Sequence, residues 1–208
     1  MTGKKTQIGT LVLSILLLTL SGAQAKKSLT FGQLSGEILE TLQSFYPVHS
    51  TEMGIHAYDH RFTDYSAKSV KQIIKKLTSY EKKLYRIKQA NLSDHDKLNH
   101  KLIKSNVDIA LLDLKKIRWH KKSPQLYVDE VVDGIYLLML SPHAPMSEKV
   151  VSVISRMKAV PAFLATAKKN IAKPPQIYVE AAIESLESGM QFYQEVAGEL
   201  MGKFPKRA

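Results

Sequence analysis

The pair His56 and His60, with Asp59 between them, is the arrangement in this sequence that most resembles a metal-binding motif. Histidines four residues apart lie on one face of a helix, as they do in zinc-binding helices, and the acid between them resembles an inverted zinc motif. Aspartate is one methylene shorter than the glutamate usual there, and the positive charge of Arg61 opposes a cation. We therefore interpret the segment as a helix end with surface histidines. A small zinc hydrolase centred on His56 and His60 is the less favoured alternative.

A second polar cluster comprises His95, Asp96 and His100. An acid in the first turn of a helix complements the helix dipole, so Asp96 needs no metal to explain it. His100 follows four residues later and is placed to pair with Asp96. This cluster predicts local helix stabilisation.

Carboxylates recur along the last predicted helix, and paired carboxylates can perform acid–base chemistry when their environments separate their pKa values. On a helix face opposite an apolar stripe they are more often solvated, and we predict a solvated face here. The stripe consists of Glu180, Glu184, Glu187, Gln191 and Glu195.

The sequence contains no cysteine, no Gly-rich phosphate loop, no G-x-S-x-G elbow and no H-E-x-x-H zinc motif. Without cysteine there is neither a disulfide, nor a thiol nucleophile, nor a lipid attachment site of the lipoprotein type. We predict no catalytic, cofactor-binding or metal-binding residue in this chain.

A predicted helix over residues 67–90 has a strongly basic surface, with eight cationic residues against the single acid Glu81. Clustered lysines can bind nucleic acid, but no aromatic residues for base stacking alternate with these. Anionic polymers or lipids of a cell envelope fit the pattern better. The cations are Lys68, Lys71, Lys75, Lys76, Lys82, Lys83, Arg86 and Lys88.

Residues 1–25 have the pattern of a secretory signal peptide. Lys4 and Lys5 precede a short apolar run over 8–20, and Ala23-Gln24-Ala25 is a small-x-small cleavage site. The run has fewer residues than the roughly 20 that span a bilayer. We therefore expect export to the periplasm or medium, no transmembrane span after cleavage, and one mature domain over 26–208. Cleavage removes two lysines and no acid, which lowers the formal charge from +11 to +9.

The mature sequence has a helical period throughout and no strand-like alternation, so it predicts an all-α array of antiparallel helices. Residues 31–45 carry one amphipathic pattern, and a short helix is expected over 50–57. Ser66 is a good N-cap for a helix over 67–90. A further helix with an apolar stripe at Leu98, Leu102, Ile109 and Leu112 should form a hairpin with it.

The last third predicts three more helical segments. Tyr127, Val131, Ile135 and Leu138 mark the first, and Ser147 can cap the second over 148–157. Val160-Pro161 predicts a kink or a new helix start, and Lys173-Pro174-Pro175 a rigid joint. The last helix is expected to be apolar at Ile177, Ile183, Leu186, Met190, Tyr193 and Leu200.

Three groups of residues, in order along the chain, share the pattern of one protein family. The first is Phe45-Tyr46-Pro47, Thr51-Glu52-Met53-Gly54, Tyr58-Asp59 and Thr63-Asp64-Tyr65-Ser66. The second is Trp119, Pro124 and Tyr127. The third is Arg156-Met157, Val160-Pro161, Leu164, Ala167-Lys168, Asn170-Ile171, Pro174-Pro175, Ala181-Ala182-Ile183 and Gly189. By these residues the chain resembles the bacterial domain-of-unknown-function family 885.

The resemblance implies a helical protein related to gluzincin-type zinc metallopeptidases, whose zinc motif of the H-E-x-x-x-G-H type lies in a later portion of much longer members. No position of this sequence matches that motif, so no zinc ligand is carried over. The chain resembles the family's front helical section alone, which implies a truncated, non-catalytic wall of a substrate channel whose partner is a missing C-terminal catalytic section. An independent exported module that binds anionic envelope components through its basic helix is the alternative.

Overall fold

The computed structural model describes residues 30–204, which form seven α-helices joined by short turns and by two longer connections over 53–66 and 113–123. They are α1 (Phe31–Phe45), α2 (Pro47–Glu52), α3 (Ala67–Tyr85), α4 (Asp94–Leu112), α5 (Pro124–Leu140), α6 (Met146–Asn170) and α7 (Gln176–Lys203). No strand occurs in this described range, so the predicted all-α class is confirmed. The predicted signal peptide, at 1–25, lies outside the described residues.

Several helices begin at the residues that the sequence indicates. The Ser66 hydroxyl accepts a hydrogen bond from the Ser69 amide at the start of α3, and Ser93 caps α4 in the same way. Each cap satisfies one of the amides that a helix leaves without an internal partner. The short helix predicted over 50–57 was misplaced. It begins at Pro47, whose fixed φ suits the first helical position and whose missing N–H costs nothing there.

The path of α6 differs from the prediction. The helix begins at Met146, after Pro145 as the N-cap residue, and Ser147 does not cap it. It then continues without a new start through Pro161 to Asn170. Phe163 and Ala167 pack against the core, and this packing offsets the free-energy cost of the hydrogen bond that proline cannot donate. Within the described residues α6 is also long and apolar enough to span a membrane, which is weak evidence because core helices of soluble proteins pass the same test.

The apolar stripe predicted for the core side of α4 was wrong. Leu98, Leu102, Ile109 and Leu112 are each at least half exposed. The buried face is instead His100, Ile103, Val107, Ala110 and Leu111, which packs towards α1 and α3. Both sets have helical spacing, and the neighbouring helices decide which set is buried. The predicted hairpin of α3 and α4 is nevertheless present.

On α7, as on α4, most of the predicted apolar stripe is exposed. Of the predicted stripe, Ile177, Ile183, Leu186 and Met190 are exposed, whereas Leu200 is buried as predicted and Tyr193 is partly buried. The other buried positions are Ala182, Gly189 and Val196. Small residues here allow close approach to α5. A Cβ on Gly189 would lie 2.6 Å from the Val132 Cγ2 atom.

The core has two parts, and α5 contributes to both. The larger part gathers α1, α3, α4 and the first half of α5 with Phe163 and Ala167 of α6. The smaller part joins Ile135 and Leu138 of α5 to Val150 and Val153 of α6 and to α7. Helix α5 is therefore the element around which the molecule is organised.

Candidate functional site: a buried arginine centre, an acidic groove and a histidine cluster

A buried arginine ties three separate segments of the chain together. Arg156 is fully buried, and its Nε donates to the carbonyl of Arg61 at 3.2 Å. One terminal nitrogen donates to the carbonyl of Gly134, and the other to the Thr51 hydroxyl at 2.8 Å and the Pro47 carbonyl at 3.4 Å. These contacts join α6 to α5, α2 and the segment after α2. We call this set the Arg156 centre.

Two buried carboxylates balance this charge without contacting it directly. Asp59 accepts a hydrogen bond from the Thr51 hydroxyl at 2.6 Å, and Glu130 accepts one from the Thr63 amide at 2.7 Å. Burial lowers the pKa of Arg156 to about 10, while Asp59 and Glu130 favour its charged form. Arg156 therefore remains a cation at neutral pH. Burial raises the pKa of Glu130 above its usual value.

A neutral polar cluster fixes the far end of α6. The Asn170 amide donates to the Tyr65 carbonyl at 2.8 Å and to the Tyr127 hydroxyl at 3.0 Å. Tyr127 in turn donates to the His120 carbonyl at 2.7 Å, and burial raises the pKa of Tyr127 to about 12. Several residues behind the family resemblance thus form buried hydrogen bonds in the described structure.

A groove of about 730 Å³ opens between α1, α2, α4 and α5. Its wall includes apolar side chains that are well exposed: Leu39, Met53, Ile109 and Tyr136. Five acids also line it, namely Glu52, Asp113, Asp129, Glu130 and Asp133. We call this surface the acidic groove.

Burial changes the ionisation of these acids. It raises the pKa of Asp113, Asp129 and Asp133 above the ordinary aspartate value, and Asp129 raises that of Asp133 further. When a carboxylate loses solvation and no cation lies beside it, its charged form becomes less stable. A positive group placed in the groove would relieve that cost.

His56, Asp59 and His143 lie together at the solvent side of the Arg156 centre. The Asp59 Oδ2 atom is 2.9 Å from His56 Nδ1 and 3.8 Å from His143 Nε2. The two imidazole rings stack with their centroids 3.4 Å apart. We call this group the His56 cluster.

The structure does not assemble the histidine pair considered from the sequence. His56 lies in a 3-10 turn over His56–Tyr58 and not on an α-helix, so His56 and His60 do not share a helical face. His60 is exposed and is not part of the cluster. Its place is taken by His143, from the connection between α5 and α6, which no local sequence pattern could associate with His56.

The expected pairing of His100 with Asp96 was also wrong. His100 is buried, and its Nε2 atom lies 3.0 Å from the Leu84 carbonyl at the end of α3. Asp96 instead accepts the Ser93 hydroxyl at the helix start. The role predicted for Asp96 in the first turn of α4 agrees with this position.

The charged surfaces lie where the sequence placed them. All eight cations of the predicted basic helix are exposed, on α3 and the residues directly after it. The carboxylates Glu180, Glu184, Glu187 and Glu195 on α7 are exposed as well. The structural roles of Arg156 and Glu130 were missed, because a single buried charge has no periodic signature in a sequence.

Comparisons with known proteins give two matches. Residues 47–208 match the model of the family described as "Bacterial protein of unknown function (DUF885)". The fold is similar to a solved structure described as "a putative lipoprotein of unknown function from Shewanella oneidensis", with a TM-score of 0.70 and 20% identity. That match covers 77% of this chain and 29% of the other, so the chain spans under a third of that protein. No curated protein matches.

The family match covers the residues that build the Arg156 centre, most of the acidic groove and the His56 cluster. The chain therefore belongs to the bacterial DUF885 family.

Proposed function

We propose that this chain is an exported, non-catalytic section of a metallopeptidase-like protein, and that the acidic groove binds extended peptides with apolar and basic side chains. The observation that carries the proposal is the groove itself, which combines about 730 Å³ of space, exposed apolar walls and five acids. The sequence resemblance to gluzincin-type enzymes supports a channel wall.

The chemistry of the groove favours a cationic ligand over an anionic one. Burial raises the pKa of Asp113, Asp129 and Asp133, so a lysine or arginine brought near them restores the stability of their charged forms. Leu39, Met53 and Ile109 supply apolar surface that a peptide side chain can cover. The groove offers binding contacts and no H-E-x-x-H base or nucleophile.

The test is fluorescence anisotropy with two labelled peptides of equal length, one alternating leucine and lysine and the other leucine and glutamate. The lysine peptide should bind at least about tenfold more tightly, since each favourable charge contact contributes on the order of 1 kcal/mol. Mass spectrometry after incubation should recover it uncleaved. Cleavage that survives repurification, or equal binding of both peptides, would contradict the proposal.

Matched variants locate the binding surface. Ile109→Gln and Asp133→Asn alter the groove, whereas Leu98→Gln changes an equally exposed residue of α4 outside it. The first two should weaken binding of the lysine peptide several-fold, and the third should leave it unchanged. Loss of binding with Leu98→Gln alone would place the peptide elsewhere.

The basic face of α3 supports a second candidate function, the binding of an anionic envelope surface. Its eight exposed cations can release counterions from a polyanion, so this binding should weaken steeply with salt. Flotation with vesicles of anionic phospholipid should carry the chain at low salt and lose it at high salt. The double variant Lys71→Glu and Lys75→Glu should abolish flotation, and failure of the native chain to float at low salt would remove this function.

A further inference from the structure

The His56 cluster has the composition of a transition-metal site. Two imidazoles and one carboxylate are the donor set of many zinc centres that keep a fourth position open. Among the described residues, this trio is the one group whose candidate ligand atoms all lie within 4.8 Å of one another. We propose that His56, Asp59 and His143 bind one Zn²⁺ ion.

The distances between donor atoms are close to those that zinc requires. Ligand atoms about 2.0–2.2 Å from a tetrahedral ion lie roughly 3.3 Å from each other. The Asp59 Oδ2 atom is 2.9 Å from His56 Nδ1 and 3.8 Å from His143 Nε2, so the two spacings bracket that value. The His56 and His143 rings stack in nearly parallel planes, so zinc binding requires the His143 ring to turn until its Nε2 lone pair points at the ion.

Neighbouring hydrogen bonds already orient two of the three ligands. The Thr51 hydroxyl donates a hydrogen bond to Asp59 Oδ1 at 2.6 Å, which leaves Oδ2 free to bind the ion. The Ser141 hydroxyl lies 2.8 Å from His143 Nδ1, and a proton on that nitrogen leaves the Nε2 lone pair for the ion. Such outer partners set the tautomer and direction of metal ligands.

The cluster is accessible to a metal ion from solvent, and its side chains are more polar than those of the hydrophobic core. The side chains of His56 and His143 are 23% and 25% exposed, whereas Asp59 is 6% exposed. On binding, His56 transfers its Nδ1 proton to Nε2 or to solvent, and the ion replaces the contact of that proton with Asp59. The ion would then link the segment after α2 to the connection between α5 and α6.

Several charges around the cluster set its affinity. Arg156 reaches Thr51, the residue that holds Asp59, and Lys149 donates to the Ser141 carbonyl at 2.6 Å. Both cations oppose a metal ion, whereas burial and the neighbouring His56 lower the pKa of His143 and so favour its neutral form. We therefore expect micromolar binding that strengthens as pH rises through the histidine range, because imidazole ligates only when neutral.

The experiment uses the chain freed of any histidine tag and stripped with a chelator, because a tag binds zinc itself. Calorimetric titration with ZnCl₂ at neutral pH should give one ion per chain. Co²⁺ should produce the visible absorption bands of a tetrahedral site. Excess zinc, at about 100 times its dissociation constant, should raise the melting temperature by about 5 °C.

Single variants decide whether this trio is responsible. His143→Gln and His56→Gln should each lower zinc affinity at least about tenfold, and Ser141→Ala should lower it to a smaller extent. His60→Gln is the matched control, because His60 is an exposed histidine of the same segment outside the cluster, and it should bind as the native chain does. Circular dichroism verifies that each variant is folded.

Two results would overturn the proposal. One is the absence of stoichiometric zinc or cobalt binding to the native chain at micromolar concentrations. The other is binding that survives in a folded His143→Gln variant. Neither result bears on the peptide groove, whose lining excludes His56, Asp59 and His143.

Discussion

The Arg156 centre and the acidic groove both contain charged side chains with reduced solvation, and they differ in how those charges are satisfied. Arg156 donates to four oxygen atoms from three segments of the chain. In the groove Asp113 is partly buried and Asp129 and Asp133 are exposed, and lost solvation raises the pKa of all three. A fully bonded buried charge stabilises one arrangement of the helices, whereas poorly solvated carboxylates at an open surface are available for a ligand.

Glu130 connects the two regions on α5. Its carboxylate accepts the Thr63 amide beside the Arg156 centre and also lines the groove. Because one helix carries parts of both regions, any change that moves α5 should affect them together. Four predictions test this division between a structural region and a binding region.

The largest effect is expected from Arg156→Ala. The variant removes the hydrogen bonds that Arg156 donates to the Arg61 and Gly134 carbonyls and the charge that balances Asp59 and Glu130, so the free energy of unfolding should fall by about 3–5 kcal/mol. Urea denaturation followed by circular dichroism measures it. Lys158→Ala, at an exposed position of the same helix, should change stability by less than about 0.5 kcal/mol. Equal effects of the two changes would show that the Arg156 centre is not structural.

A smaller loss is expected when α7 is pushed away from α5. In Gly189→Ala the new Cβ would meet Val132 Cγ2 at 2.6 Å, and the stiff valine cannot turn aside easily. Overpacking should outweigh the gain in helix propensity and destabilise by about 1–2 kcal/mol. Gly198→Ala has open space on the same helix and should stabilise by up to about 1 kcal/mol. Melting temperatures that move in the same direction for both variants would contradict this account.

The three aspartates of the groove should affect the free energy of unfolding less than Gly189→Ala does, and their effect should depend on pH. Because burial raises the folded-state pKa of Asp113, Asp129 and Asp133, the folded chain holds these protons more tightly than the unfolded chain does. The protonated aspartates therefore contribute to the free energy of unfolding at low pH. This contribution is lost as pH rises from about 4, the ordinary aspartate pKa, through the raised folded-state values.

Replacing the three aspartates by asparagine removes this loss. Relative to the native chain, the triple variant should become progressively more stable as pH rises from acid to neutral. Urea unfolding of both proteins across that range measures the difference. A difference that stays constant with pH would show that the three carboxylates are ordinarily solvated.

The smallest effect on stability is expected at the exposed apolar residues. Ile109→Gln in the groove and Leu98→Gln outside it should each change the free energy of unfolding by less than about 0.5 kcal/mol, because both side chains are already more than half exposed. Thermal unfolding measures this. A loss of several kcal/mol with Ile109→Gln would mean that the groove wall belongs to the core and is not a free binding surface.

Local signals predicted much of the secondary structure. Ser66 caps the helix it was expected to cap, and Tyr127, Val131, Ile135 and Leu138 are buried on α5 as their spacing indicated. The predicted starts of two helices were wrong. The short helix predicted over 50–57 begins at Pro47, and Pro161 lies within a continuous helix and does not start a new one. Local sequence cannot show how much packing energy offsets a missing donor.

The candidate sites were much less predictable. His56 and Asp59 could be noticed because they are close in sequence, but His143 joins them only through the packing of α6 on α5 and α2. The groove has the same origin, since its walls come from α1, α2, α4 and α5.

The amino-acid sequence by itself determined the all-α class, several helix starts and the position of the charged faces, because capping and helical period act over a few residues. Only the tertiary structure decided which face of α4 and of α7 is buried. Each of these two helices has two sets of apolar residues at helical spacing. The buried set is the one that contains small residues, such as Ala110 and Gly189, because they let a neighbouring helix approach closely.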